Sequence, residues 1–204
     1  TTTYYGFPNR FNESNSFATV GNGVYCFDTS DTSIDAVQSN YLIGMGVQNN
    51  VLHSTHTQYI DQTLYIEDMP VAEYAYNGSD TLNGYTFILG DRTGSSDGYW
   101  SNKALCCTIM NSNDGELTLY VADNSSEGYT EVGLGRKLGE TFTLGTQWNL
   151  DESLDIYIDG IYVNTIENVT RAVTGANNNL SIYYYRPSSL DDKVKLTVSN
   201  IAIY

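Results

Sequence analysis

The sequence predicts an all-β fold, a two-sheet antiparallel β-sandwich of jelly-roll type, and three observations carry that expectation. Phe142, Leu144, Thr146, Trp148 and Leu150 alternate with polar residues, the period of a strand with one buried face. Two further alternating runs, 154–158 and 161–166, are joined by Asp159-Gly160. That dipeptide suits a two-residue type I′ turn, because both turn positions need φ > 0. Helical periodicity of ten or more residues occurs nowhere, and clusters of Gly, Asn, Asp and Ser punctuate the apolar runs.

Taken in chain order, strands are expected over 17–20 and 23–27, separated by Gly21-Asn22-Gly23, and then over 41–47 and 58–66. The runs 85–89, 104–110 and 116–122 follow, the last two joined by Asn111-Ser112-Asn113-Asp114-Gly115. The chain continues with 141–150, the hairpin pair 154–158 and 161–166, then 180–185 after the polar cluster 175–179, and closes on 194–204. If Asp159 and Gly160 are the two turn residues, Ile158 faces Ile161, Tyr157 faces Tyr162 and Ile156 faces Val163. One face of the hairpin is then aliphatic and the other carries tyrosines.

The stretch from Glu140 through Trp148 to the hairpin at Val163 resembles the laminin-G-like or concanavalin-A-like family of jelly rolls. There a hairpin reads roughly aliphatic-x-aromatic-aliphatic-Asp/Asn-Gly, and the chain closes on a strand like 194–204. The likeness covers 140–204 and, more loosely, 85–122. Carbohydrate-binding modules, lectins, adhesion domains, polysaccharide lyases and glycoside hydrolases share this architecture, so function must come from the site. The resemblance also implies a structural calcium ion tying an early loop to the terminal strand. The densest oxygen clusters outside the hairpin, Asp28 with Asp31 and Asp191 with Asp192, are the candidate ligands or else an Asx turn and an exposed charge pair, with Asp91 and Asp97 as alternative ligands.

Composition fits one turn-rich domain over residues 1–204, with 18 tyrosines, 18 glycines, 20 asparagines and three prolines. No apolar stretch is long enough for a membrane span. Thr1-Thr2-Thr3 reads as a linker remnant of a larger multidomain protein, secreted or at the cell surface and bacterial in composition, of which this is a monomeric domain. The net charge of −15 argues against nucleic acid, whose phosphates need clustered Lys and Arg. It suits either bound calcium or plain solubility. Cys26, Cys106 and Cys107 are odd in number, and reduced thiols are expected over a disulfide from Cys26. Strand geometry lets only one of the adjacent pair face the core. Four N-x-S/T sequons, at Asn12, Asn77, Asn124 and Asn168, match chance in so Asn-rich a chain.

Catalytic signatures are sparse. A retaining glycosidase needs two carboxylates about 5 Å apart, and the nearest pattern, Asp155-x-x-x-Asp159, loses Asp159 to the turn. Nine scattered basic residues give no cationic cleft for a lyase. His53 and His56 could share a metal only from a loop, and no third ligand accompanies them. Nucleophile elbows and phosphate loops are absent, and Gly133-Leu134-Gly135 lacks the spacing of the latter.

Aromatic chemistry remains. Sugars stack their C–H faces on Tyr and Trp and pair their hydroxyls with Asp, Asn and Gln, so a chain of this composition suits glycans. Trp148 is in phase with Phe142 and Leu144 and belongs in the core. Trp100 and Tyr99 lie in the long segment 90–103 beside Asp91, Arg92, Asp97 and Asn102, where the indole either binds a ligand or plugs the end of the sandwich. Tyr157 and Tyr162 form either a sugar platform or ordinary cross-strand packing. Tyr183 and Tyr185 share one face and Tyr184 the other, so at least one should meet solvent near Arg186. The expected function is a non-catalytic carbohydrate-binding module or lectin domain for a polysaccharide or glycan. A protein-protein adhesion domain and a polysaccharide-cleaving enzyme are the alternatives.

Overall fold

A computed structural model describes residues 3–4, 9–10, 18–21, 24–28, 42–48, 51–71, 84–90, 104–122, 128–169, 171, 180–185 and 193–204. Among them there is no helix. The strands are β1 (Thr3–Tyr4), β2 (Asn9–Arg10), β3 (Ala18–Gly21), β4 (Val24–Asp28), β5 (Leu42–Gln48), β6 (Gln58–Asp68), β7 (Gly84–Gly90) and β8 (Ala104–Asn113). They continue with β9 (Glu116–Ala122), β10 (Tyr129–Lys137), β11 (Thr141–Trp148), β12 (Leu154–Ile158), β13 (Ile161–Ile166), β14 (Leu180–Tyr185) and β15 (Lys195–Ile203).

These strands pair antiparallel into two sheets. The first runs β13-β12-β11-β6-β15-β4-β3, with β1 also on β15, and the second runs β10-β9-β8-β7-β14-β5-β2. The period-two pattern decides which side chains lie between them. From the first sheet come Ile60, Leu64 and Ile66 of β6, Phe142, Leu144 and Trp148 of β11, and Leu154 and Ile156 of β12. The second sheet answers with Tyr85, Phe87 and Leu89 of β7, Leu105, Cys107 and Ile109 of β8, and Leu180, Ile182 and Tyr184 of β14. One polar side chain in this layer, Gln62, accepts a hydrogen bond at Oε1 from Tyr85 Oη at 2.7 Å, whereas its buried Nε2 has no partner among the described residues.

All the expected strands are present, with ends shifted by one to three residues, and several details differ. β10 was not anticipated, because Gly133 and Gly135 stand at its outward positions and mask the alternation that buries Val132 and Leu134. β11 stops at Trp148, so Leu150 lies beyond the strand and is 53% exposed. In the β12–β13 hairpin Tyr157 does pair with Tyr162 and Ile158 with Ile161, across Asp159 (φ 52°) and Gly160 (φ 77°). A bulge then shifts the register, so Ile156 pairs with Asn164 instead of Val163. β13 is the edge strand of its sheet, and its aliphatic side chains are not buried: Ile161 is 72% exposed and Val163 is exposed too. Cys107 enters the core, yet Cys106 on the opposite face is also buried, together with Thr86, Ile88, Thr108 and Met110. The far side of β7 and β8 is thus covered, and Thr86 and Thr108 hydrogen-bond each other there at 2.8 Å. Thr3, expected in a linker, pairs with Ile203. All three thiols are free.

Candidate functional site

The outer face of the first sheet carries the residues that alternate with the core set: Tyr59, Asp61, Thr63 and Tyr65 of β6, Thr143, Gly145 and Gln147 of β11, and Asp155 and Tyr157 of β12. Sheet register aligns Asp61, Gly145, Tyr157 and Tyr162 in one row across four strands, and Tyr59, Gln147, Asp155 and Thr165 in the next. The result is a continuous strip of tyrosines. Tyr204 lies 5.8 Å from Tyr59, Tyr59 lies 5.7 Å from Tyr157, and Tyr157 lies 5.9 Å from Tyr162, centroid to centroid. Each contact is edge-to-face, the preferred geometry for aromatic pairs. At the two ends, Tyr162 and Tyr204 are more than half exposed, at 55% and 53%.

Gly145 shapes the middle of the strip. A Cβ there would collide with the Tyr59 hydroxyl and come within 2.7 Å of Tyr59 Cζ. The phenol of Tyr59 therefore rests on the bare backbone of β11, between the row of Asp61 and the side chain of Tyr157. Burial raises the Tyr59 pKa, and the Asp61 charge adds to the effect.

The polar rim is ordered by its own hydrogen bonds. Asp155 accepts from Thr165 Oγ1, from Asn149 Nδ2 at 3.0 Å and from Gln147 Nε2 at 3.3 Å. Tyr162 Oη and Thr165 Oγ1 are 3.0 Å apart, which ties the edge tyrosine to this group. Asp61 differs: its Oδ1 is shut from solvent and has no hydrogen-bond donor among the described residues. Burial holds its pKa above the ordinary carboxylate range.

A raised pKa means that the folded chain holds the Asp61 proton more tightly than the unfolded chain does. The stability tied to that proton is present below the usual carboxylate range and lost as pH rises through the raised value. Asp61→Asn should therefore raise the melting temperature at neutral pH, with the gain shrinking as the pH falls. A variant that melts lower than the parent at pH 7 would show that the carboxylate has a partner worth keeping.

The remaining sequence-predicted residues are distributed as follows. Tyr157 and Tyr162 lie on the strip. Tyr184 does not meet solvent: it is fully buried, 6.2 Å from Phe27, because its alternation phase is that of Leu180 and Ile182. Tyr99, Trp100, Asp91, Arg92, Asp97, Asn102 and Arg186 lie outside the described residues, as do Asp31, Asp191 and Asp192. Asp28 ends β4, opposite Lys195 of β15. Among the described residues no three His, Cys, Asp or Glu side chains form a group that could hold a metal. His53 and His56 are exposed in a turn with rings 5.8 Å apart, and Arg171 donates to both of their carbonyls. Tyr59 and Tyr204 were not singled out from the sequence, although Tyr59 alternates with Ile60 in the run 58–66 and so had to face outward.

No protein-family profile and no curated protein sequence matches the chain. Solved structures do. An alginate lyase mutant in complex with alginate trisaccharide superposes with a TM-score of 0.56 at 13% identity, covering 98% of this chain and 93% of that one. A botulinum neurotoxin type C structure, described as dependent for cell entry on two ganglioside molecules, gives 0.53 at 12% identity. The binding domain of botulinum neurotoxin DC in complex with SialylT gives 0.51 at 13%. The chain covers less than half of either neurotoxin chain, 43% and 41%. These likenesses establish the two-sheet sandwich. They also correct the expectation of a non-catalytic domain, because a chain described as an alginate lyase has this fold over 93% of its length.

Proposed function

We propose that this domain binds a polysaccharide or glycan across the tyrosine strip on the outer face of the first sheet, as a jelly roll of the laminin-G-like or concanavalin-A-like kind in a secreted or cell-surface protein. The observation that carries this reading is the strip itself: four rings from three separated parts of the chain, brought edge to face and bordered by Asp61, Gln147, Asn149 and Asp155. Aromatic faces for C–H surfaces beside amides and carboxylates for hydroxyls are the chemistry a sugar needs. The similar structures described with alginate trisaccharide, gangliosides and SialylT add support at the level of the fold.

Cleavage of the bound glycan is the second reading, and the end-to-end correspondence with an alginate lyase favours it. The described face offers little machinery for it, since the raised pKa of the Tyr59 phenol makes it a poor base at neutral pH.

Tyr157→Ala should weaken glycan binding by about 1 to 3 kcal/mol, roughly five- to 150-fold, in calorimetry against the best hit from a glycan array. Unchanged affinity would remove the strip from the site. Trp100→Ala in the same assay reports whether the long segment adds to the surface, repetition in EDTA tests calcium at Asp28, Asp31, Asp191 and Asp192, and chromatography of the glycan afterwards reads cleavage.

A further inference from the structure

The chemistry bordering the strip is selective in charge and in ligand shape. Asp61 and Asp155 lie in adjacent rows of the sheet register, flanking the rings of Tyr59 and Tyr157. Of the described cations, four are held by partners away from the strip, and Lys193 precedes β15 at the end of that strand opposite Tyr204. Arg136 pairs with Asp159 at 2.6 Å, Lys195 with Glu67 at 2.9 Å and Lys137 with Glu116 at 3.5 Å. Arg171 stacks on Trp148, 4.6 Å from the ring centroid, and donates to the carbonyls of Trp148, His53 and His56. A ligand carboxylate or sulfate laid on the strip would meet two negative groups with no Lys or Arg in either of their two register rows, and the whole chain adds a net charge of −15.

Shape follows from the rings. The strip crosses strands instead of following one, with successive centroids just under 6 Å apart, a separation of the order of one hexopyranose unit. Interplanar angles of 61°, 63° and 74° turn each ring against its neighbour, so no single flat face runs the length of the strip. A single sugar can use one stacking face, whereas an extended chain can use alternate faces while its hydroxyls reach the acceptors between them. Asp61, half-buried on β6 beside the Tyr59 ring, sets a carboxylate at the middle of this path.

We infer that the strip selects an uncharged, extended glycan of about four sugar units, lying across the strands from Tyr204 to Tyr162, and that Asp61 and Asp155 exclude uronate-, sialate- and sulfate-bearing chains. This inference rests on the glycan-binding reading above. It separates this chain from the similar structures described with alginate and with gangliosides, whose fold it shares.

The test uses the full chain on an array of linear neutral and anionic glycans, followed by calorimetry with oligosaccharides of one to six units prepared from the best hit. Neutral glycans should bind at least tenfold more tightly than anionic ones of equal length, and affinity should rise at least tenfold between one unit and four. Asp61→Asn should narrow the neutral-to-anionic gap at least threefold, a change that loss of a merely structural contact would not produce. An anionic glycan as best hit, or full affinity reached with a disaccharide, overturns the inference. Should that anionic glycan still be lost on Tyr157→Ala, the strip remains the site and only the charge and length selection falls. Failure of every glycan to bind overturns both readings.

Discussion

Trp148→Ala should destabilise the domain by about 3 to 5 kcal/mol, the range for truncating a large buried aromatic. Trp148 is fully buried at the end of β11, where Leu154 of β12 and Gln58 of β6 pair on either side. Its ring is also the platform for Arg171, which donates to the Trp148 carbonyl at 2.8 Å and to the carbonyls of His53 and His56. Removing the indole leaves a cavity and takes away the surface that fixes this guanidinium, so the turn around residues 53–56 should loosen with it. Denaturant unfolding measures the first effect and amide exchange in the turn the second. A loss under about 1 kcal/mol would mean that the core closes over the gap.

Gly84→Ala should cost about 3 kcal/mol, the upper end for overpacking a well-filled interior. Gly84 begins β7 in the middle of the second sheet, between β8 and β14, and is fully buried. A methyl group there would drive into the Ile109 carbonyl oxygen, which belongs to the β8 backbone and cannot swing aside as a side chain can. The β7–β8 ladder must open locally or β7 must shift. Gly145→Ala makes an instructive contrast, since the group it strikes is the far end of Tyr59. Near-parental stability of Gly84→Ala would show slack at the start of β7.

Local pattern made most of the architecture readable. The alternation in 58–66 and 141–148 and the Asp159-Gly160 turn correctly indicate strands, faces and the Tyr157–Tyr162 pair. Failures arose where a neighbour outside the local run decides the outcome. Leu150 continues the alternation but follows the last rung of the β11 ladder, and Ile156 slips because a bulge in β13 inserts a residue. Cys106 is buried on a face that strand geometry alone would leave to solvent.

The strip was half legible for a related reason. Tyr157 and Tyr162 are joined by two turn residues, so their pairing is a local matter. Tyr59 and Tyr204 join them only because β6 lies between β11 and β15, an order set by packing and not by any short motif.

That order also governs how the molecule can assemble. β15 lies between β6 and β4, with β1 alongside, so the first sheet is divided until residues 195–203 arrive to bridge its halves. During synthesis the β11–β12–β13 meander can pair as it emerges, whereas β6 keeps an open edge waiting for a partner made much later. Such non-local closure places the domain among the slow two-layer folders, on the order of milliseconds to seconds. In that interval the exposed edge is the point most open to wrong pairing between chains.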